Sequence, residues 1–233
     1  MRRRLTRAVF FISCVAALTG MRVAGQDTAP ACDSSGVCTL PDTAVTVARP
    51  AGGRQFWAEK RLFTEAPPLE VARWLTDPPE TKGKFLVIEF WRTWCGACKR
   101  GTPFMNGLQK KYGKELAVIG ITGEPEEVVR AYKGPKKEYF LALDRPKTET
   151  AESGGQNAEN PPVEGTIPRE KGQGAYEALF GVWGWPHVVI LEPRFRTVVW
   201  EGYPGQKGYE LTEALIEKLL AIERAARAES GNP

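Results

Sequence analysis

Apolar positions along the chain alternate between short unbroken runs and stretches in which they recur every three or four residues, which predicts strands interleaved with helices. The clearest run is Phe85-Leu86-Val87-Ile88-Glu89-Phe90-Trp91, apolar on both faces apart from Glu89. Such a run suits a central strand covered by helices on both sides. Upstream, Leu69, Val71, Ala72, Trp74 and Leu75 fall at helical spacing, so a short helix is predicted there, ended by Asp77-Pro78-Pro79. Downstream, Phe104, Leu108 and Tyr112 recur at steps of four with Met105 alongside, predicting an amphipathic helix over 99–112 with Pro103 inside it. A second buried strand follows at 116–121, a helix at 125–132 opened by Glu124-Pro125, and a third strand at 139–143.

Between 144 and 174 the composition turns to Gly, Pro, Glu, Thr and Asn, which reads as a loop of about 30 residues. Order resumes with a short helix at 175–180 and the dipeptide Trp185-Pro186. Strands at 187–191 and 197–200 around the turn Glu192-Pro193-Arg194 then predict a β-hairpin. Leu211, Leu215, Leu219 and Ile222 make the closing amphipathic helix, before a polar tail at 225–233. Alternating strands and helices of this kind predict an α/β fold built on one central sheet over residues 57–224.

The first residues alter the reading of charge. Four arginines lie within 1–7, an apolar run of 11 residues spans 8–18, and Val23-Ala24-Gly25 supplies small residues. This pattern predicts a secretory signal peptide over 1–25, hence an extracytoplasmic, periplasmic or secreted protein. The apolar run is short of the ~20 residues a spanning helix needs, so no permanent membrane span is expected. The whole chain is +4, but the segment 1–25 holds five arginines and no acid, which leaves 27 basic against 28 acidic residues. A near-neutral remainder excludes a basic patch as an argument for nucleic-acid binding.

Export also bears on the cysteines. Cys14 lies in the apolar run and leaves with it, whereas Cys32, Cys38, Cys95 and Cys98 remain in an oxidising compartment. The stretch 26–56 lacks a sustained period and reads as a mobile arm, in which the turn-forming residues between Cys32 and Cys38 would let a local structural disulfide close. Cys95-Gly96-Ala97-Cys98 directly follows the central strand. Two cysteines so spaced at a strand-to-helix turn can close a small ring, and an exposed Cys95 at the helix N-terminus is expected to be favoured as thiolate. A zinc site would need four ligands, and with the single His187 neither two paired CxxC knuckles nor a CxxC with two histidines is present, so no metal is expected. A c-type haem would want histidine after Cys98, where Lys99 stands, and no other cofactor is implied.

The segment from Glu89 to Cys98, with Pro103 five residues later, resembles the active-site segment of the thioredoxin superfamily. Far downstream, Phe180-Gly181-Val182-Trp183-Gly184-Trp185-Pro186 is similar to the segment that carries that family's cis-proline. The export signal and the helix-strand insertion between Ile121 and Leu143 resemble the extracytoplasmic TlpA/ResA-like branch more narrowly. The resemblance implies a thioredoxin-like fold, a mixed sheet flanked by helices with a C-terminal β-hairpin and helix. It implies a thiol–disulfide oxidoreductase in which Cys95 attacks, Cys98 resolves and Glu89 takes the resolving thiol's proton. Trp94, Gly96, Ala97, Trp185 and Pro186 would contact the partner, with Pro186 as a cis turn. The chain departs from some cytochrome-maturation members, which carry an acid where Gly101 stands here. Gly96-Ala97 adds no cation to stabilise the thiolate, which favours a reductant over an oxidant or isomerase. The expected partners are protein thiols and disulfides and an electron donor, with the protein a monomer. The rival reading is a thioredoxin-like binding module without turnover.

Overall fold

The computed structural model describes residues 58–147, 174–204 and 210–230, together with the backbone of three short strands further upstream. Those strands are β1 (Ala31–Cys32), β2 (Val37–Thr39) and β3 (Thr46–Ala48), an antiparallel sheet in which Cys32 stands opposite Cys38. The proposed signal segment, the rest of the arm and most of the loop 144–174 lie outside the described residues.

The main body is a six-stranded mixed sheet. Its strands are β4 (Val71–Trp74), β5 (Phe85–Phe90), β6 (Leu116–Thr122), β7 (Phe140–Asp144), β8 (His187–Leu191) and β9 (Val198–Gly202). They lie in the order β4-β7-β6-β5-β8-β9. The pairs β5–β6 and β6–β7 are parallel, and β4, β8 and β9 join antiparallel. The helices are α1 (Gly96–Tyr112), α2 (Glu126–Arg130), α3 (Ala175–Leu179) and α4 (Glu213–Ser230). This is the α/β, thioredoxin-like arrangement expected, with α2 and β7 as the inserted unit and β8, β9 and α4 as the closing hairpin and helix.

Period-two alternation in a strand buried on both faces sorts the core into two layers. Phe85 and Val87 point to the side that holds Met105, Leu108 and Tyr112 of α1 and Ile216, Leu219 and Leu220 of α4. Leu86, Ile88 and Phe90 point to the opposite side, against Tyr176, Phe180 and Val182. Glu89 belongs by parity to the first face, under the helix that starts at the cysteines.

Two local expectations are corrected. Residues 71–74 are an edge strand, not part of a helix. Their apolar spacing fits a helix, but β7 offers a free edge, and pairing of Arg73 with Leu143 and Trp74 with Ala142 satisfies backbone groups that a one-turn helix would leave open. The closing helix runs on to Ser230, beyond the last apolar repeat at Ile222. Its extension carries the i,i+4 pair Glu223–Arg227, and Arg224 reaches Glu115.

Candidate active site

β5 delivers the chain at Phe90 to a four-residue turn, and α1 begins at Gly96 with Cys95 as its N-cap (φ −69°, ψ 106°). Cys95 and Cys98 are joined, with S–S 2.13 Å and Cα–Cα 5.3 Å. The Cys98 backbone N–H donates to Cys95 Sγ at 3.0 Å. No acidic residue lies in the first turn of this 17-residue helix, so its positive end is unopposed and favours a thiolate at position 95. One expectation fails here: Cys95 is only 4% exposed and Cys98 1%, so both are buried. They pack with Trp91 and Val129, against Ala97, Tyr132 and Trp185. The exposed residue at this turn is Trp94, at 54%.

The peptide Trp185-Pro186 is cis. Trp94 and Trp185 meet edge to face with centroids 5.6 Å apart, and Trp185 and Ala97 pack against the buried Cys95 and Cys98, which brings sequence-predicted residues 94, 95, 97, 98 and 185 together. Trp185 is anchored from beneath. The Arg92 guanidinium lies 4.2 Å over its ring, and its indole N–H donates to Glu177. Arg92 in turn pairs with Glu177 at 2.5 Å, with both side chains buried. Burial pushes the Glu177 carboxyl up from its ordinary pKa, and Arg92 pulls it back. α3, which carries Glu177, is capped by Asp144, whose carboxylate accepts from the N–H groups of Tyr176 (2.9 Å) and Glu177 (2.8 Å). On the other flank Glu124 accepts from Thr93 N–H (2.6 Å) and hydroxyl (2.8 Å). The turn before the cysteines is thus held by carboxylates from two sides.

Glu89 is 1% exposed and partnered. It accepts from Lys137 Nζ at 2.9 Å and from the Tyr139 hydroxyl at 2.5 Å. Lys137 also reaches Thr102 Oγ1 at 3.3 Å, and the Thr102 hydroxyl donates to the Cys98 carbonyl at 3.0 Å. A hydrogen-bonded chain therefore runs from Glu89 through Lys137 and Thr102 to the turn that bears Cys98. Burial lowers the Lys137 pKa, an effect that Glu89 opposes. Burial and the neighbouring Glu89 hold the Tyr139 hydroxyl well above its ordinary value, so it stays a donor.

Sequence reasoning missed Lys137, Tyr139, Thr102, Arg92, Glu177 and Glu124. Arg92 carried a legible signal, a charge directly after a buried run. Lys137 did not, because it sits in a polar stretch with Lys133 and Lys136, both exposed. His187, next to the cis-proline, is fully buried between Phe90 (6.2 Å, stacked) and Tyr203 (5.5 Å, edge-on), a packing residue rather than a solvent-facing one. Among the described residues no group of three His, Cys, Asp or Glu could hold a metal ion. No described helix is long and apolar enough to cross a membrane.

Residues 75–170 match the Redoxin family. The chain is 39% identical over 57 residues to the thioredoxin-like protein YneN of Bacillus subtilis, covering 23% of this chain and 34% of that protein. It is 40% identical over 62 residues to the thiol-disulfide oxidoreductase ResA of Bacillus cereus, covering 27% of this chain and 35% of that protein. The matched stretches thus span about a third of the length of these curated relatives. Among solved structures, the thioredoxin domain of a thiol-disulfide oxidoreductase from Bacteroides vulgatus is 17% identical, with TM-score 0.47, over 70% of this chain and 99% of that one.

Proposed function

We propose that this chain, a thioredoxin-superfamily protein of the TlpA/ResA-like kind, is an exported thiol–disulfide oxidoreductase that reduces disulfides in protein partners. The observation that carries the reading is the Cys95–Cys98 pair at the start of a long helix, next to a cis-proline. In the reduced protein the Cys95 thiolate attacks one sulfur of the partner's disulfide, and the other partner sulfur leaves as a thiolate. Cys98 then loses its proton, attacks Cys95 Sγ and releases the second partner sulfur. Two electrons pass to the partner, and the protein is left with the Cys95–Cys98 bond. Glu89, linked to the Cys98 turn by Lys137 and Thr102, is the group assigned to accept the Cys98 proton. Pro186 turns the chain so that backbone beside it can pair with an extended partner segment, and Trp94 and Trp185 line the approach.

The reductive direction rests on Gly96-Ala97, which adds no cation between the cysteines. Export rests on the residues 1–25 pattern. An electron donor must restore the dithiol, and the chain is assigned as a monomer. The pair Cys32/Cys38 is assigned a structural role, supported by their facing positions on β1 and β2.

Cys98→Ser should accumulate mixed disulfides with partners, and Cys95→Ser far fewer, as read on non-reducing gels. Equal trapping by both variants would overturn the assignment of nucleophile and resolver. Equilibration of the dithiol with glutathione gives the direction, and a potential more oxidising than the glutathione couple would turn the reading from reductant to oxidant.

A further inference from the structure

A cleft opens between the turn before α1 and the stretch that runs from α2 into the segment after it, with Thr93, Trp94, Lys99, Val128, Tyr132 and Lys133 among its walls. Two features of its rim point the same way. Of the large apolar side chains that the described residues leave exposed, Trp94 (54%) and Val128 (39%) both line this cleft. The second feature is charge. Lys99 and Lys133 stand on its walls. Neither lysine takes part in an ion pair among the described residues.

Two neighbouring carboxylates are turned elsewhere. Glu124 keeps its charge but directs both oxygens to Thr93, and Glu126 is paired with Arg73 and Arg130. Glu127 and Glu138 do not line the cleft. The lining sets Trp94, Val128 and Tyr132 beside the ammonium groups of Lys99 and Lys133, and Trp94 and Lys99 directly flank the joined Cys95 and Cys98 in sequence.

We propose that this cleft docks the segment of the partner protein next to its reactive disulfide, and that this segment is acidic, with an apolar residue to lie on Trp94 and Val128. The proposal rests on the oxidoreductase reading above and adds the chemistry of the partner. Unpaired rim charges act mainly on encounter rate and partner choice, and salt screens them. That dependence supplies the test.

The reduced full-length chain is given two disulfide-linked peptides that share a Leu beside the cysteine and differ only in flanking Glu or Lys. Their kcat/KM values are compared as a ratio, which a changed dithiol potential leaves untouched. The acidic peptide should be favoured about tenfold at low ionic strength, and the preference should shrink to about twofold or less near 0.5 M salt. Lys99→Glu combined with Lys133→Glu should invert the ratio, and Trp94→Ala should slow both peptides with the ratio kept. A ratio near one at low salt, or one that the double variant leaves unchanged, overturns the proposal while the oxidoreductase reading stands. If neither peptide nor insulin is reduced by the unaltered protein, the oxidoreductase reading itself falls and takes the proposal with it.

Discussion

At Glu89 the cost of burying a carboxylate is met by two donors, Lys137 and Tyr139, and this reverses an inference that the apolar run alone suggests. An uncompensated glutamate there should be relieved by Glu89→Gln, with stability rising. With Lys137 paired to it at 2.9 Å and equally buried, the same change strands an ammonium in the core. Glu89→Gln is expected to lose about 3 kcal/mol in urea denaturation, and Glu89→Gln with Lys137→Met to regain most of it. If Glu89 accepts the Cys98 proton as proposed, both variants should slow disulfide exchange near neutral pH. A Glu89→Gln protein as stable as the parent would show that the pair does not hold. A double variant that exchanges at the parent rate would remove Glu89 from the mechanism.

Among the elements, β6 shows why a small residue is required at one place in a central strand. Gly120 stands directly opposite Glu89, and a Cβ there would come within 2.9 Å of Leu141, 3.1 Å of the Tyr139 ring and 3.2 Å of Trp91. Gly120→Ala must therefore displace the end of the Leu141 side chain and crowd the Tyr139 ring that donates to Glu89. A loss of about 1–3 kcal/mol is expected from overpacking, together with slower exchange, and an unchanged denaturation midpoint would show that the ring simply yields. α3 is a five-residue helix held at its start by Asp144 and holding Trp185 through Glu177. Asp144→Ala should cost about 1 kcal/mol of stability through the lost cap. It should also change Trp fluorescence as Trp185 loosens, a readout that a remote loss of stability would leave alone. The strand β4 belongs to this scale too. Local spacing favours a helix at 71–74, and the open edge of β7 decides for a strand.

For the whole molecule, the fully buried His187 couples stability to pH. Burial lowers its pKa from 6.5 to about 3, so below pH 6.5 the unfolded chain binds a proton that the native state does not. Stability must then fall as pH drops through that range, by about 1.4 kcal/mol per pH unit for this one group. His187→Phe keeps an aromatic ring between Phe90 and Tyr203 and removes the titration. Its stability relative to the parent should rise steadily as urea denaturation is moved from about pH 7 to about pH 4.5. Parallel curves for the two proteins would assign the acid sensitivity to other groups.

How much of this was legible beforehand follows from the distance between the groups involved. The central strand, the dithiol turn behind it, the amphipathic helices and the tryptophan-proline corner are each written within a few consecutive residues, where period, capping and spacing act locally. The chain by itself therefore determined the α/β architecture and the strand-to-helix turn at which Cys95 and Cys98 join. Other decisions required residues far apart in sequence to meet. Glu89 finds Lys137 across 48 positions and Arg92 finds Glu177 across 85, and nothing in either neighbourhood names the other. Only the folded sheet placed an ammonium beside the buried carboxylate, set Arg92 and Glu177 under Trp185, drew residues 71–74 to an edge, and covered Cys95. The reason is physical: a buried charge is tolerable only where a partner arrives, and packing against distant segments settles which partner arrives.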